Sequence, residues 1–246
     1  MNPTNTDLTA PLSNEWMQRL ADAAKQTALA ERAASNFFST KGGTLSWNNM
    51  ALPGNKMECI VLLSMHENLY YKDKFDASSP ASPACYSFSF DGVDMAPHPE
   101  ADTPQAKSCN DCPNLKWGTS DNGRGKACRE TRRLCLLPAS AAASPQAVAA
   151  AEAGLLRVPI TSVKFWAAMV NKLSTLQLPP FAMITEVSVH VDPKTMFRVE
   201  FAVKRAITDE DVLGALMNRM NSERNNMSMA YPKNTTPEAP AAPRKF

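Results

Sequence analysis

Three cysteines fall within twenty residues, in the stretch CNDCPNLKWGTSDNGRGKAC from Cys109 to Cys128. Cys109-x2-Cys112 is the tight turn that presents two thiolates to one metal ion, and Asn110 and Asp111 between them suit that turn. Cys128 follows after Gly123 and Gly125, which let the backbone fold back toward the first pair. A thiolate pair with a third thiolate at this distance is a zinc signal. A tetrahedral ion needs a fourth ligand, and three side chains compete for the place. Cys135 lies in an apolar strand pattern, sharing a face with Thr131, Arg133 and Leu137. His98 lies in APHPE, and Cys85 follows Pro83 at the start of a loop. A sphere closed by protein ligands leaves no open position, so the expected metal is structural.

The surrounding sequence argues against an enzyme. His98-x-Glu100 ahead of Cys109-x2-Cys112 has the look of a zinc deaminase signature. Only eight residues separate Glu100 from Cys109, too few for the intervening elements, and Pro97 and Pro99 flank the histidine where a helix is required. The chain has no G-x-S-x-G elbow, no G-x-x-x-x-G-K loop and no H-E-x-x-H. His66 and His190 are isolated, and Glu58, Asp73, Asp76 and Asp91 do not form a nuclease set.

A formal charge of +2 over 246 residues gives no global affinity for polyanions, so any such affinity must be local. It is local in RGKACRETRR, Arg124 to Arg133, where five cations face one carboxylate, Glu130. Arg124, Lys126, Arg129, Arg132 and Arg133 are the candidate phosphate contacts, with Arg132 and Arg133 on opposite faces of a strand. Flat rings stand close to cations: Trp117 in a glycine-flanked loop, Tyr70 and Tyr71 beside Lys72 and Lys74, and Trp47 upstream. Rings that stack bases and cations that follow the backbone are the combination used in sequence-neutral single-strand binding.

These residues need a scaffold, and the periodicity suggests one. Residues 1–12 and 231–246 read as disordered, leaving 13–230 as a single domain. Ser13 caps a helix running to about Ala34. Met57, Cys59, Val61 and Leu63 alternate onto one face of a strand, which places Cys59 in the core. From about 80 to 130 the chain is turn-rich and poor in aliphatics, the situation in which a small module relies on a metal. RRLCLLP, LLRVPI, AMITEVSVHV and FRVEFAVKR read as strands, the last with Phe197, Val199, Phe201 and Val203 inward. Helices follow Thr161, with Phe165, Met169 and Leu173 on one face, and Thr208, with Val212, Leu216 and Met220 on one face. About five strands with irregularly placed helices predict a mainly β or α+β domain, a small, mostly antiparallel OB-like barrel with peripheral helices and an inserted zinc knuckle. No window is long and apolar enough to cross a membrane, and the first residues lack the pattern of a secretory signal. A cytoplasmic, reducing compartment is expected, where cysteines serve as ligands or core residues rather than disulfides.

The order Pro83-x-Cys85, Ser89-x-Asp91-Gly92, Cys109-x2-Cys112-Pro113, Trp117-Gly118, Gly123-x-Gly125-Lys126-x-Cys128 and Arg132-Arg133-Leu134 resembles a group of bacteriophage single-stranded DNA-binding, replication-accessory proteins. STKGGTLSWNN and NLYYKDKFD extend the resemblance over roughly Phe38 to Leu137. It implies Cys85 as the fourth ligand beside Cys109, Cys112 and Cys128, and structural zinc as the cofactor. It also implies single-stranded DNA as the partner, in phage replication or recombination within the cytoplasm of an infected bacterium, alongside other phage replication or recombination proteins. The sequence departs from such proteins in its last residues, Arg244-Lys245-Phe246, which are basic where a partner-recruiting tail is commonly acidic. Two other readings stay open: a zinc-containing transcription regulator or duplex-DNA binder, for which no cation-rich helix is visible, and a structural or protein-interaction module.

Overall fold

The computed structural model describes residues 13, 15–20, 23, 36–72 and 82–231. Residues 1–12 and 232–246 of the tails expected to be disordered, most of the N-terminal helix and Lys74 lie outside these residues; Tyr231, expected in the tail, is ordered, its hydroxyl donating to Glu67. The chain divides into two compact units, Met1–Asn36 and Phe37–Phe246. In the first, residues 15–20 are helical. As the sequence suggests, Ser13 caps this helix, its hydroxyl accepting the Trp16 N–H at 3.4 Å.

The second unit is built on one seven-stranded sheet. Its strands are β1 (Phe37–Phe38), β4 (Lys56–Tyr70), β5 (Cys85–Ser89), β6 (Arg129–Pro138), β7 (Gly154–Pro159), β8 (Met183–Asp192) and β9 (Met196–Ala206); β2 (Ser46–Trp47) and β3 (Met50–Ala51) form a separate hairpin. The path runs β1-β7-β6-β4-β8-β9, and β5 also pairs with β4. All pairs in the sheet are antiparallel except β1 with β7. Among the described residues, three α-helices complete the unit: α1 (Pro145–Ala150), α2 (Ile160–Thr175) and α3 (Glu210–Met227).

This is a mixed α+β fold, mostly sheet with a few helices, and the sheet is not closed into the OB-like barrel expected. The physical reason lies in the central strand. CIVLLSM in β4 is apolar apart from the half-buried Ser64, and side chains on both of its faces are buried. On one face Cys59 and Val61 pack with Leu134, Leu156 and the α2 residues Trp166, Met169 and Leu173. On the other, Ile60 and Met65 pack with Leu137, Ile184 and the α3 residues Val212 and Leu216. A sheet covered by helices on both sides stays open. A register shift between Val61 and Leu63 moves Leu63 off the Cys59 face, opposite Cys135 and into the second cluster, so the expected alternation ends at Val61.

Local signals set the helix starts. Ser144 caps α1 by accepting the Ala147 N–H, and Asp209, rather than Thr208, caps α3 by accepting the Val212 N–H. α2 starts after Pro159 and not at Thr161, and the Ser162 hydroxyl accepts the Val199 N–H of β9 instead of capping a turn. The cysteine-bearing insertion lies between β5 and β6, where Pro113–Leu115 forms a single 3-10 turn.

Candidate metal centre and nucleic-acid interface

The far end of β4 pairs with β5, Tyr70 opposite Cys85 and Asn68 opposite Ser87. Even-numbered positions of β4 and odd-numbered positions of β5 therefore share a face, and residues 90–128 fold back over it. Backbone bonds tie the return: His98 N–H to the Tyr86 carbonyl at 2.7 Å, Thr103 N–H to Ala84 at 2.8 Å and Cys109 N–H to Met95 at 2.8 Å. The Cys109–Cys112 turn closes with a bond from the Cys112 N–H to the Cys109 carbonyl at 3.2 Å, and the Cys128 N–H reaches the Asn114 carbonyl at 2.9 Å.

This folding brings Cys85, Cys109, Cys112 and Cys128, separated by up to 43 residues in sequence, to one cavity of about 10 Å³. All four are buried free thiols. Neither alternative fourth ligand lines that cavity. Cys135 is wholly buried in the sheet core against α3, and His98 stacks on the Tyr86 ring with centroids 5.0 Å apart. The cavity has the size of roughly one water.

The donor set suits a soft, tetrahedral divalent ion. Burial pushes the Cys128 thiol up to about 12, and the neighbouring Cys112, Cys85 and Cys109 raise it further as like charges. Burial also raises Cys85, against a hydrogen bond from the Gln105 backbone N–H and with the help of Cys109 and Cys112. Four thiolates that repel one another in a buried place are what a bound cation stabilises. Partners for the sulfurs are also present, since Cys109 Sγ lies 3.3 Å from the Ser87 hydroxyl. Among the described residues, no three histidine, cysteine, aspartate or glutamate side chains are gathered into a ready-made metal sphere. The thiols line the cavity without meeting at a point.

The outer surface of the same module carries the exposed candidates. Trp117 is 78 % exposed, on a turn held by a bond from the Gly118 N–H to the Gly125 carbonyl, with Gly118 at φ +87°. Arg124 and Arg129 are exposed, and Arg129 lies over the half-buried Tyr71 ring, 5.5 Å from its centroid. Lys72 is exposed next to Tyr71. Lys126 is half-buried and paired with Glu130 at 2.5 Å, so part of its charge is already answered. Arg132 is half-buried on the same sheet face as His66, its cross-strand neighbour.

Three other candidates serve the fold. Trp47 packs on Phe38 with ring centroids 4.3 Å apart, and it lies so close to Gly154 that a side chain there would collide with it. Tyr70 lines the cysteine cavity. Arg133 is corrected from phosphate contact to core residue. It is 2 % exposed, donates to the Glu67 carboxylate and to Tyr231 Oη, and also donates to the Met227 carbonyl at the C-terminal end of α3.

Sequence reasoning missed that buried network. Glu67, fully buried, accepts from Arg133 Nε at 3.0 Å, Arg157 Nε at 2.8 Å, the Thr131 hydroxyl at 2.9 Å and Tyr231 Oη at 2.5 Å. Burial alone would raise its carboxyl, but the Arg157 and Arg133 guanidiniums overcome burial and hold it at about 2. The same carboxylate raises Arg157, against burial that would lower it. The local sequence HENLYY carries no sign of this, because every partner is distant in the chain.

No family model, curated protein sequence or solved structure compared with this chain matches it.

Proposed function

We propose that this protein is a non-enzymatic, sequence-neutral binder of single-stranded DNA, acting in phage replication or recombination in the cytoplasm of an infected bacterium. Its binding surface is the outer rim of a four-cysteine module organised by structural zinc on Cys85, Cys109, Cys112 and Cys128. The observation that carries this reading is Trp117, an indole 78 % exposed on a tied glycine turn, in the same loop as the exposed Arg124. Exposure of so large an apolar ring is unfavourable without a ligand to cover it, and bases have a flat face that matches. Tyr71 beneath Arg129, next to Lys72, repeats the pairing of ring and cation on the adjoining strand end. The resemblance of Phe38 to Leu137 to phage single-strand binders supports the same reading. An OB-like barrel is not required by it, since the ring and cation set sits on the insertion and the β4 end.

Charge and stacking separate in a salt series. Arg124→Ala, Lys126→Ala and Arg129→Ala together are expected to weaken binding on every oligonucleotide sequence alike and to flatten the salt dependence by up to about 0.7 per lost contact. Lys126, already paired, contributes least of the three. Trp117→Ala is expected to cost roughly 1–3 kcal/mol with the slope nearly unchanged, because stacking releases no counterions. Unchanged affinity and slope in the triple variant, with zinc retained, would show that the basic run is only a solvated face. The same exposed indole also suits a protein-interaction module. Binding of a partner protein that Trp117→Ala abolishes, without any DNA affinity in the parent chain, would favour that second reading.

A further inference from the structure

Two guanidiniums share one carboxylate in the buried network, and they are not equally served. Arg133 spends Nε and Nη2 on Glu67, Nη2 also on Tyr231 Oη, and Nη1 on the Met227 carbonyl. Its side chain is closed from solvent at 3 % exposure. Arg157 donates Nε to Glu67 at 2.8 Å and Nη2 to Tyr231 Oη. Its Nη1 has no partner among the described residues, and its side chain is 32 % exposed. Burial and the Glu67 carboxylate raise the Tyr231 phenol, which keeps its proton and adds no second negative charge. The cluster therefore carries one net positive charge, and Arg157 is where that charge reaches solvent.

The open nitrogen belongs to the Tyr71 side of the sheet. Glu67 and Leu69 alternate onto one face of β4, opposite Thr131 and Arg129 of β6, and Arg157 is the cross-strand neighbour of Arg133. Arg129, Thr131, Arg133 and Arg157 therefore share that face, where the Arg129 guanidinium covers the Tyr71 ring. Tyr71 is near enough to act on the Arg157 charge. The Arg157 guanidinium also lies over the Phe37 and Tyr231 rings, 5.1 Å and 5.8 Å from their centroids. Held by a carboxylate, a hydroxyl and two rings, it has little rotamer freedom left to lose on binding a ligand. We propose that Arg157 is a phosphate-binding residue, its Nη1 edge donating to a phosphate oxygen beside the Tyr71–Arg129 pair, with Glu67 and Tyr231 positioning it. The inference rests on the single-strand reading for the source of that phosphate, a DNA backbone. Glu67 does not cancel the Arg157 charge, because the same carboxylate is the anion that serves Arg133. A guanidinium with an open edge matches phosphate oxygens in geometry as well as in charge.

Two measurements on the full, zinc-loaded chain test the proposal: affinity for a labelled oligothymidylate across a salt series, and the thermal shift with inorganic pyrophosphate at constant ionic strength. Arg157→Gln is expected to lower the salt slope by about 0.7 and to lose most of the pyrophosphate shift, measured from its own unliganded melting point. Arg157→Lys keeps a point charge and should keep most of the slope. Arg133→Gln removes a partner of the same carboxylate that has no exposed donor. It is expected to lower stability with slope and shift at the parent values, which separates a phosphate contact from a merely structural member of the network. NMR of the arginine side chains in the parent chain frees the test from any variant's folding: pyrophosphate should move the Arg157 resonances and leave those of Arg133 in place. A parent chain that answers pyrophosphate at Arg157 but binds no oligonucleotide would uphold the site while the single-strand reading fails. Arg157 resonances that pyrophosphate leaves unmoved would overturn the proposal, as would a parent-like slope and shift in Arg157→Gln.

Discussion

Chelation of zinc, or Cys112→Ser, is expected to release residues 90–128 from the sheet while the strands and helices behind them persist. Elemental analysis of the untreated chain should find about one zinc per chain, and the serine variant should lose it. The segment has little else to hold it. Met95 and Ala101 are its only buried apolar side chains apart from the cysteines, among the described residues. Backbone bonds to Tyr86 and Ala84 attach one end, but the stretch from Cys109 to Cys128 is turns and one 3-10 turn. Zinc binding supplies roughly 10–16 kcal/mol in small structural modules, far more than such a loop gains by its own packing. Limited proteolysis reads the outcome directly, with new cleavage sites confined to 90–128. Affinity for zinc should fall as pH falls, because the thiols, raised by burial and by one another, must lose protons to bind. A zinc-free chain in which 90–128 resists protease would sink the cysteine argument.

The second large effect is expected at Glu67. Glu67→Ala leaves the buried Arg133 guanidinium and the half-buried Arg157 guanidinium without their carboxylate, and removing one partner of a buried ion network costs about 3–5 kcal/mol. Tyr231→Phe, which deletes one hydroxyl from the same network, should cost less, on the order of 1–3 kcal/mol. The pH dependence has a definite sign. The carboxyl sits at about 2 in the folded chain against an ordinary value of 4.5. Its contribution is therefore present above the ordinary value and disappears as pH falls through the folded one. Urea unfolding of the parent chain should weaken between pH 5 and pH 2, within about the window set by these two values. Glu67→Gln should be weaker at pH 7 and show a smaller loss across that window. A glutamine variant as stable as the parent at pH 7 would show that the network contributes nothing net.

That Cys109, Cys112 and Cys128 lie around one cavity was legible in the sequence, because their short spacings are local. Cys109-x2-Cys112 and the glycines before Cys128 state them locally, whereas Cys85, joined by strand pairing with Tyr70, was one of three competing candidates and was favoured only by a resemblance. The buried ion network was not legible. Glu67 meets Arg133, Arg157 and Tyr231 across 66, 90 and 164 residues, and nothing near any of them marks a charge as internal. Alternation correctly put Arg132 and Arg133 on opposite faces, but it could not say that α3 and Tyr231 would cover the second. The open sheet was hidden in the same way. The apolar run of β4 fits a two-sided core as well as a barrel wall, and only the placement of α2 and α3 decides between them.

The most direct test of the central claim is a fluorescence titration of the zinc-loaded chain with one labelled oligonucleotide, offered single-stranded and as its duplex. The account predicts saturable binding of the single strand, similar for unrelated sequences, weakening with salt and tighter than binding of the duplex. Equal or tighter binding of the duplex, or no binding of the single strand at low salt, would contradict it.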